Sequence, residues 1–386
     1  MKHLLILGGG SAGVMLANRL RKEVPQDGLK ITVIEKKETH IYQPAFTLVV
    51  FDLDVPENLV RPMKGLLYEG INLVTDEVTK INPKSNSVTT AKNGDITYDY
   101  LVVATGAKYN YDEPIGMKAG LEKAEKVFTF YTLDGAIKLR DALKNFKGGT
   151  IACTVSEMPI KCPAAPMKFI MMAEDYFNSV RGIRDKVKFI FTTPMPAVFS
   201  REPYASKLSE IFKRRGIETI ANFTPSDVDN EKCVVKDYGG KEFHYDLLCI
   251  IPPHEGESYI EESEGVGDAA NWAHCDKHTM LTLKHSNIYG IGDATDFPTS
   301  KTASGVRKQA HILSNRIISH LKGEEPTDTY DGEIICPMLT KFNRVMFAHF
   351  NYTESMSPAI ESYANWVLKV HMLRPLYWNL MLRGLM

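Results

Sequence analysis

A cysteine stands in a turn built to open a helix. Residues 158–168 read Met-Pro-Ile-Lys-Cys-Pro-Ala-Ala-Pro-Met-Lys, and no glycine occurs from Cys153 to Lys168. Proline is favoured at the first helical position, so Cys162, just before Pro163, reads as an N-cap with its sulfur in the positive field of the helix start. That field favours thiolate over thiol, and the thiolate is the form that attacks disulfides and donates electrons. The same turn cannot cradle a dinucleotide pyrophosphate, which needs a tight glycine turn and bare backbone N–H groups. Among the other cysteines, Cys153 and Cys249 lie in apolar strands and read as core. Cys233 begins another strand, and His274-Cys275-Asp-Lys-His278 offers three ligands with no second cluster to complete a tetrahedral site, so no metal is assigned.

The elements around this turn announce a nucleotide. Lys2-His-Leu-Leu-Ile-Leu is an apolar strand running into Gly8-Gly-Gly10-Ser11-Ala12-Gly13, which opens a helix through Val14, Leu16 and Leu20. The next strand ends in Glu35, an acid about 20 residues beyond the loop, where a carboxylate can accept ribose hydroxyls. Lys36 and Val78 are further candidate cofactor-binding residues. Tyr100-Leu-Val-Val ends in Ala104-Thr105-Gly106, and Asn287-Ile-Tyr-Gly-Ile ends in Gly292-Asp293. Both strand ends resemble marks of the two-dinucleotide-domain flavoproteins, and that resemblance implies FAD rather than NAD as the dinucleotide of this loop. A helix starting near Lys301 and Thr302, and running through Gln309, Leu313 and Ile317, would aim its N-terminus at the flavin.

Strands and helices alternate as in a doubly wound α/β protein. We expect two Rossmann-like dinucleotide-binding units, the second inserted in the first. Residues 1–110 and 281–321 form the FAD-binding unit, with an inserted strand pair near Ile71 to Val78 and Ser87 to Ala91. Residues 111–280 form a second unit that carries Cys162 and lacks a nucleotide loop. Residues 322–386 form a C-terminal region. The 386 residues are 44% hydrophobic and 24% charged, with a net charge of −1, which gives no general attraction to nucleic acid. No run of 18 apolar residues exists to cross a membrane. The chain begins directly in its first strand, which suggests cytoplasmic residence, and six cysteines there do not suggest a disulfide framework.

The tail differs in kind. Ser362 to Met386 holds Tyr363, Trp366, Tyr377 and Trp378 among leucines and methionines, with Lys369, Arg374 and Arg383 interspersed. Broken at Pro375, it reads as two short amphipathic helices of the sort that lie in a bilayer interface; dimer-forming or core helices are the alternative. On the interfacial reading, removing residues 362–386 leaves a soluble, FAD-loaded protein.

These features together resemble a sulfide:quinone oxidoreductase, a member of the pyridine nucleotide-disulfide oxidoreductase superfamily and close kin to the flavoprotein subunit of flavocytochrome c sulfide dehydrogenase. The likeness runs from Gly8 to the tail, and its most specific parts are Lys-Cys162-Pro-Ala-Ala-Pro and Ile-Ile-Cys336-Pro. It implies that Cys162 and Cys336 form a redox disulfide beside the flavin, with Cys336 nearer the flavin and Cys162 carrying sulfur. It further implies that Lys301 stabilises reduced flavin and that Phe342, Phe347, Phe350 and Tyr352 line a quinone pocket. The partners implied are sulfide, quinone and a membrane surface met by the tail, in a homo-oligomeric peripheral (monotopic) membrane protein on the cytoplasmic face.

Three departures stand out. Tyr131 occupies the place of a third family cysteine, Lys168 the place of a glutamate expected to act as base, and Tyr42 the place of a cysteine that tethers flavin in the flavocytochrome branch. Two other activities share much of this frame: a type II NADH:quinone dehydrogenase, which needs a glycine loop in the second unit, and a sulfide dehydrogenase donating to a cytochrome. A flavoprotein scaffold or redox sensor with an idle disulfide is the non-enzymatic reading.

Overall fold

A computed structural model describes all 386 residues. Its frame is two five-stranded parallel sheets. The first runs in the order Ile288–Gly290, Tyr100–Val103, Lys2–Leu7, Leu29–Ile34, Ile71–Val74. The second runs Val127–Phe128, Leu247–Ile251, Gly149–Val155, Val187–Thr192, Ile217–Ile220. Their central strands are continuous Val, Ile and Leu runs because helices cover both faces. The helices Ser11–Glu23 and Ala303–Lys322 pack together over the first sheet, while Ala165–Asp175 and Leu133–Asn145 belong to the second.

The strand read from Ile71 to Val78 is two strands. Asp76 breaks it: its carboxylate accepts the N–H groups of Glu77, Lys92 and Asn93, which turns the chain out of the sheet. Ile71–Val74 is therefore the sheet's parallel edge strand. Val78–Asn82 starts a separate antiparallel meander with Ser87–Thr90 and Gly94–Thr97.

After the Ala303–Lys322 helix comes a hairpin, Ile334–Lys341 paired with Arg344–Phe350, whose side chains alternate between faces. Ile334, Cys336 and Met338 are buried on one face together with their partners Phe350, Ala348 and Met346. This face packs against the Ala165–Asp175 helix, bringing Cys336 to the Cys162 turn.

The tail is one helical run from Tyr363 to Met381 rather than two helices parted at Pro375. Wider i→i+5 turns at Leu368–Met372 and Tyr377–Met381 flank the proline and accommodate it. Its inward face lies in the protein core. Trp366, Tyr377, Trp378 and Leu382 are buried, so three of the four aromatic residues read as interfacial do not reach the surface. Their burial is fixed by polar contacts that hydropathy does not reveal. Asn18 donates to Leu66 O at 2.7 Å and to Leu382 O at 2.6 Å, and Arg374 binds the buried Asp54 at 2.8 Å. Arg383 donates to Gly65 O at 3.0 Å. Tyr363, Met372, Leu385 and Met386 remain exposed on the outward side. No helix is long and apolar enough to cross a membrane.

Removing residues 362–386 would strip part of the core, so the truncated chain should not remain a stable FAD-loaded protein. The single substitution Trp378→Ala is expected to cost about 3–5 kcal/mol of stability, read from urea unfolding of the holoprotein. A cost below about 1 kcal/mol would mean that the indole is not a core residue.

Candidate active site

The glycine loop is shaped by close approach. Gly8 has φ +105°, and a Cβ there would stand 2.5 Å from Ala104 O; a Cβ at Gly13 would run into Gly8 O. Nothing lies within 4 Å of a Cβ built on Gly10, which leaves that side of the loop open to phosphate. Glu35 accepts the Gly9 N–H at 2.7 Å and the Lys37 N–H at 2.9 Å, holding its carboxylate at the end of its strand. Gly292, with φ +72°, sits between Ala12 and Val306 of the two facing helices, and its N–H donates to Gln309 Oε1 at 2.7 Å. A cleft follows along Gly292, Asp293, Lys301 and Thr302, and Thr302 caps the helix by accepting the Gly305 N–H. Thr105 Oγ1 is buried with no partner. Open loop, cleft and unpartnered hydroxyl fit FAD.

Other members of the expected cofactor set are occupied. Lys36 is paired with Glu77 and Glu257, and Val78 starts the meander. Ser11 Oγ meets Tyr377 OH at 2.6 Å. His40 Nδ1 lies 3.0 Å from the Gly9 carbonyl, so Nδ1 carries the proton and Nε2 accepts the Tyr377 hydroxyl at 2.6 Å. Ser11 then donates to Tyr377, and burial lowers His40 to about 4, keeping it neutral. Lys301 is tied to the carbonyls of Asp293 and Thr295 and lies over the Trp272 ring at 3.9 Å. Its charge is thus spent on main chain that borders the cleft, and burial lowers it to about 8.

Cys162 is not the N-cap of its helix. The helix begins at Ala165, with Ala164 at the cap and Pro166 in its first turn. Cys162 precedes it with φ +46°, a left-handed conformation that costs a side-chain-bearing residue about 1–3 kcal/mol. Two bonds impose it: Cys162 N–H to Lys301 O at 2.8 Å, and Ala165 N–H to Cys162 O at 2.7 Å.

The thiolate is supported by a side chain instead. Lys168 Nζ donates to Cys162 Sγ at 3.3 Å. Cys336 is the neighbour that acts most strongly on the Cys162 thiol, and both cysteines are free thiols in this structure. The Cys336 hydrogen bond and then the Lys168 charge hold Cys162 well below the ordinary thiol range, while Cys336, as the donor in a buried site, is pushed well above it. Lys168 is buried and its own value is raised, because attraction to the two sulfurs outweighs desolvation. A second buried ammonium, Lys369 of the tail, feels the same pair and donates to Pro44 O at 3.0 Å. Burial and then Lys168 lower it to about 8. The residue standing where a carboxylate base was expected is therefore a cation that stabilises sulfur anions.

Tyr131, in the place of a third cysteine, is buried and donates its hydroxyl to Lys161 O at 2.9 Å. Cys153 and Cys249 lie opposite each other in adjacent strands, fully buried. Cys233 lies in the turn before the strand Val234–Asp237. His274 is bonded to Asp296 and His278 to Tyr330 O, and no group of three or more ligands is placed to hold a metal.

The four aromatic residues read as one quinone pocket do not share a lining. Phe350 is on the Cys336 face, against Phe199 and Tyr204, and Phe347, paired with Pro337, is on the other. Tyr352 packs on Tyr330 and donates to Lys277 O. Phe342 meets the tail, between Phe51 and Trp366. Roles that sequence reasoning missed are Lys168 as the cation bonded to Cys162, Lys369 as a second buried ammonium near the pair, and His40 with Tyr377 behind the glycine loop.

Two parallel sheets, a cleft that fits FAD and a pair of neighbouring cysteines, one half-buried and one buried, are the parts of a flavin-dependent disulfide oxidoreductase. The family model described as pyridine nucleotide-disulphide oxidoreductase matches residues 2–312, and the chain belongs to this family. Its full length is similar to the mitochondrial sulfide:quinone oxidoreductases of Mus musculus, at 33% identity over 99% of this chain and 86% of that protein, and of Dictyostelium discoideum, at 32% over the same shares. Among solved structures, the sulfide:quinone oxidoreductase of Aquifex aeolicus superposes with a TM-score of 0.85 over 100% of this chain and 92% of that one, at 22% identity, a likeness of fold.

Replacing Lys168 by Met removes the ammonium while keeping bulk. In the anaerobic dithiol protein, the pH at which Cys162 alkylation is half-maximal should rise by about 1–3 units, since loss of a cation disfavours thiolate. An unchanged profile would show that Lys168 does not hold the charge.

Proposed function

We propose that the protein is a sulfide:quinone oxidoreductase that uses FAD. The observation that carries this is the Cys162–Cys336 pair, half-buried and buried, held by Lys168 at the position where an NADH-using relative of this fold would need a glycine loop. In the oxidised enzyme the two sulfurs are joined. Hydrosulfide attacks Cys162, the S–S bond breaks, Cys162 becomes a persulfide and Cys336 leaves as thiolate with the electron pair. Lys168 stabilises the negative charge on either sulfur. FAD held by the Gly8–Gly13 loop and the cleft along Gly292, Asp293 and Thr302 would supply the two-electron acceptor that links the dithiol to quinone. A second hydrosulfide takes the outer sulfur of the persulfide, giving hydrogen disulfide and leaving both cysteines as thiols, and loss of two electrons and two protons from this dithiol to the flavin would re-form the disulfide.

The acceptor side is assigned to the region where hairpin and tail meet, around Phe342, Phe51 and Trp366; Phe350 and Tyr352 serve packing. The membrane contact is assigned to the outward face of the tail helix, on the cytoplasmic side. Exposed Tyr363, Met372, Leu385 and Met386 support that reading, with Trp366 and Trp378 excluded by burial. A homo-oligomer remains part of the proposal.

Micromolar sulfide should bleach the flavin of the purified protein anaerobically, whereas NADH should not. Cys162→Ser and Cys336→Ser should each lower sulfide-dependent quinone reduction by about a thousandfold or more while keeping FAD, because a disulfide acts as a unit. Rapid bleaching by NADH, or near-normal turnover of either variant, would overturn the assignment.

A further inference from the structure

The wall beside Cys162 carries a cation and a lone pair that the chemistry above does not use. Lys108–Tyr109 pairs antiparallel with His254–Glu255, placing Tyr109 directly opposite His254. The imidazole stands edge-on to Tyr109 at 4.9 Å and to Tyr131 at 5.3 Å between ring centroids. Both hydroxyls are taken: Tyr109 donates to Tyr131 O at 2.6 Å, and Tyr131 donates to Lys161 O at 2.9 Å. His254 Nδ1 lies 2.9 Å from Pro252 O, so Nδ1 carries the proton and Nε2 presents a lone pair. His254 is only 7% exposed, and its Nε2 has no partner. A buried polar atom left unpaired is costly, which points to a ligand that supplies a hydrogen.

Lys161 immediately precedes Cys162. Its Nζ lies over the Tyr109 ring at 4.4 Å and donates to Gln43 Oε1 at 3.0 Å. An ammonium has three donors, so donors remain for a ligand. Burial lowers Lys161 to about 8 against the attraction of Asp293, leaving it cationic at neutral pH. Burial and then Lys161 lower His254 to about 3, leaving it neutral. The pair therefore selects a small anion that still carries a hydrogen. Hydrosulfide has both properties, and tyrosine rings suit its polarisable sulfur.

We propose that Lys161 Nζ and His254 Nε2 form a holding subsite for hydrosulfide beside Cys162, the ammonium taking the charge and the imidazole accepting the S–H hydrogen. The subsite rests on the sulfide-oxidising function proposed above. It orients the sulfur lone pairs toward Cys162 and involves no bond change of its own.

The test is the sulfide dependence of anaerobic flavin bleaching in the FAD-loaded protein and in Lys161→Gln, His254→Leu and Lys161→Arg. Loss of either group should raise half-saturating sulfide about tenfold, while the conservative arginine retains most of the affinity. The limiting rate should stay within about threefold, and half-saturating decylubiquinone and the flavin spectrum should not change. Should Lys161→Gln and His254→Leu both bleach with unchanged half-saturation, or should quinone half-saturation rise in step with sulfide, the subsite is wrong. If His254→Leu fails to hold FAD, Lys161→Gln decides alone. A wild-type protein that sulfide does not bleach would overturn the function and the subsite together, which separates the two failures.

Discussion

A sulfur anion buried at the junction of three chain segments needs a cation, and Lys168 provides it. Desolvating a charge without a partner costs several kcal/mol, about as much as a domain's whole margin of stability. Cys162 can hold negative charge only because Lys168 donates to it at 3.3 Å while the Cys336 thiol approaches from the hairpin. Each segment is fixed elsewhere. The Cys162 turn is pinned to Lys301 O, Lys168 rides on the helix that follows, and Cys336 lies on the buried face of a hairpin packed against that helix. The positive φ at Cys162 is the strain that this convergence requires.

The same backbone bond ties sulfur chemistry to the cofactor. Lys301 accepts the Cys162 N–H through its carbonyl while its ammonium braces the carbonyls of Asp293 and Thr295 along the FAD cleft. On the opposite side, the neutral His40 reads the Gly9 carbonyl and hands a lone pair to Tyr377, so the tail is bonded to the back of the glycine loop. Lys369, one helical stretch earlier, brings a second ammonium to the cysteines. The tail is thus a structural part of the active site as well as the candidate membrane face.

How much of this was legible follows from range. The glycine loop, Glu35 and the strand ends at Gly106 and Asp293 are local patterns: Gly8 packs against Ala104, Glu35 accepts the Gly9 N–H, and Asp293 lines the cleft with Lys301 and Thr302. The glycine-free turn was legible for what it excludes, but Pro163 was mistaken for the helix start that Pro166 marks, because both prolines satisfy the same local rule. Lys168 looked like the loss of a base; that it faces Cys162 depends on the left-handed turn, which sequence does not reveal. Burial of Trp378 and Tyr377 rests on partners such as His40 and Ser11 at the other end of the chain, and amphipathicity alone fits core and bilayer equally well. The four aromatic residues expected at the quinone divide for a reason legible in period-two alternation, since Phe347 and Phe350 on one strand must point to opposite faces, and Phe342 is the one retained in the proposal.

The central claim is that Cys162 and Cys336 are redox partners and that no other cysteine shares the role. Peptide mass mapping of the air-oxidised holoprotein, denatured in excess alkylating reagent, tests it directly. The account predicts Cys162 and Cys336 peptides joined, through two sulfurs or through additional sulfane sulfur, with Cys153, Cys233, Cys249 and Cys275 alkylated. Alkyl label on both Cys162 and Cys336 after oxidation, or either one bridged to another cysteine, would contradict it.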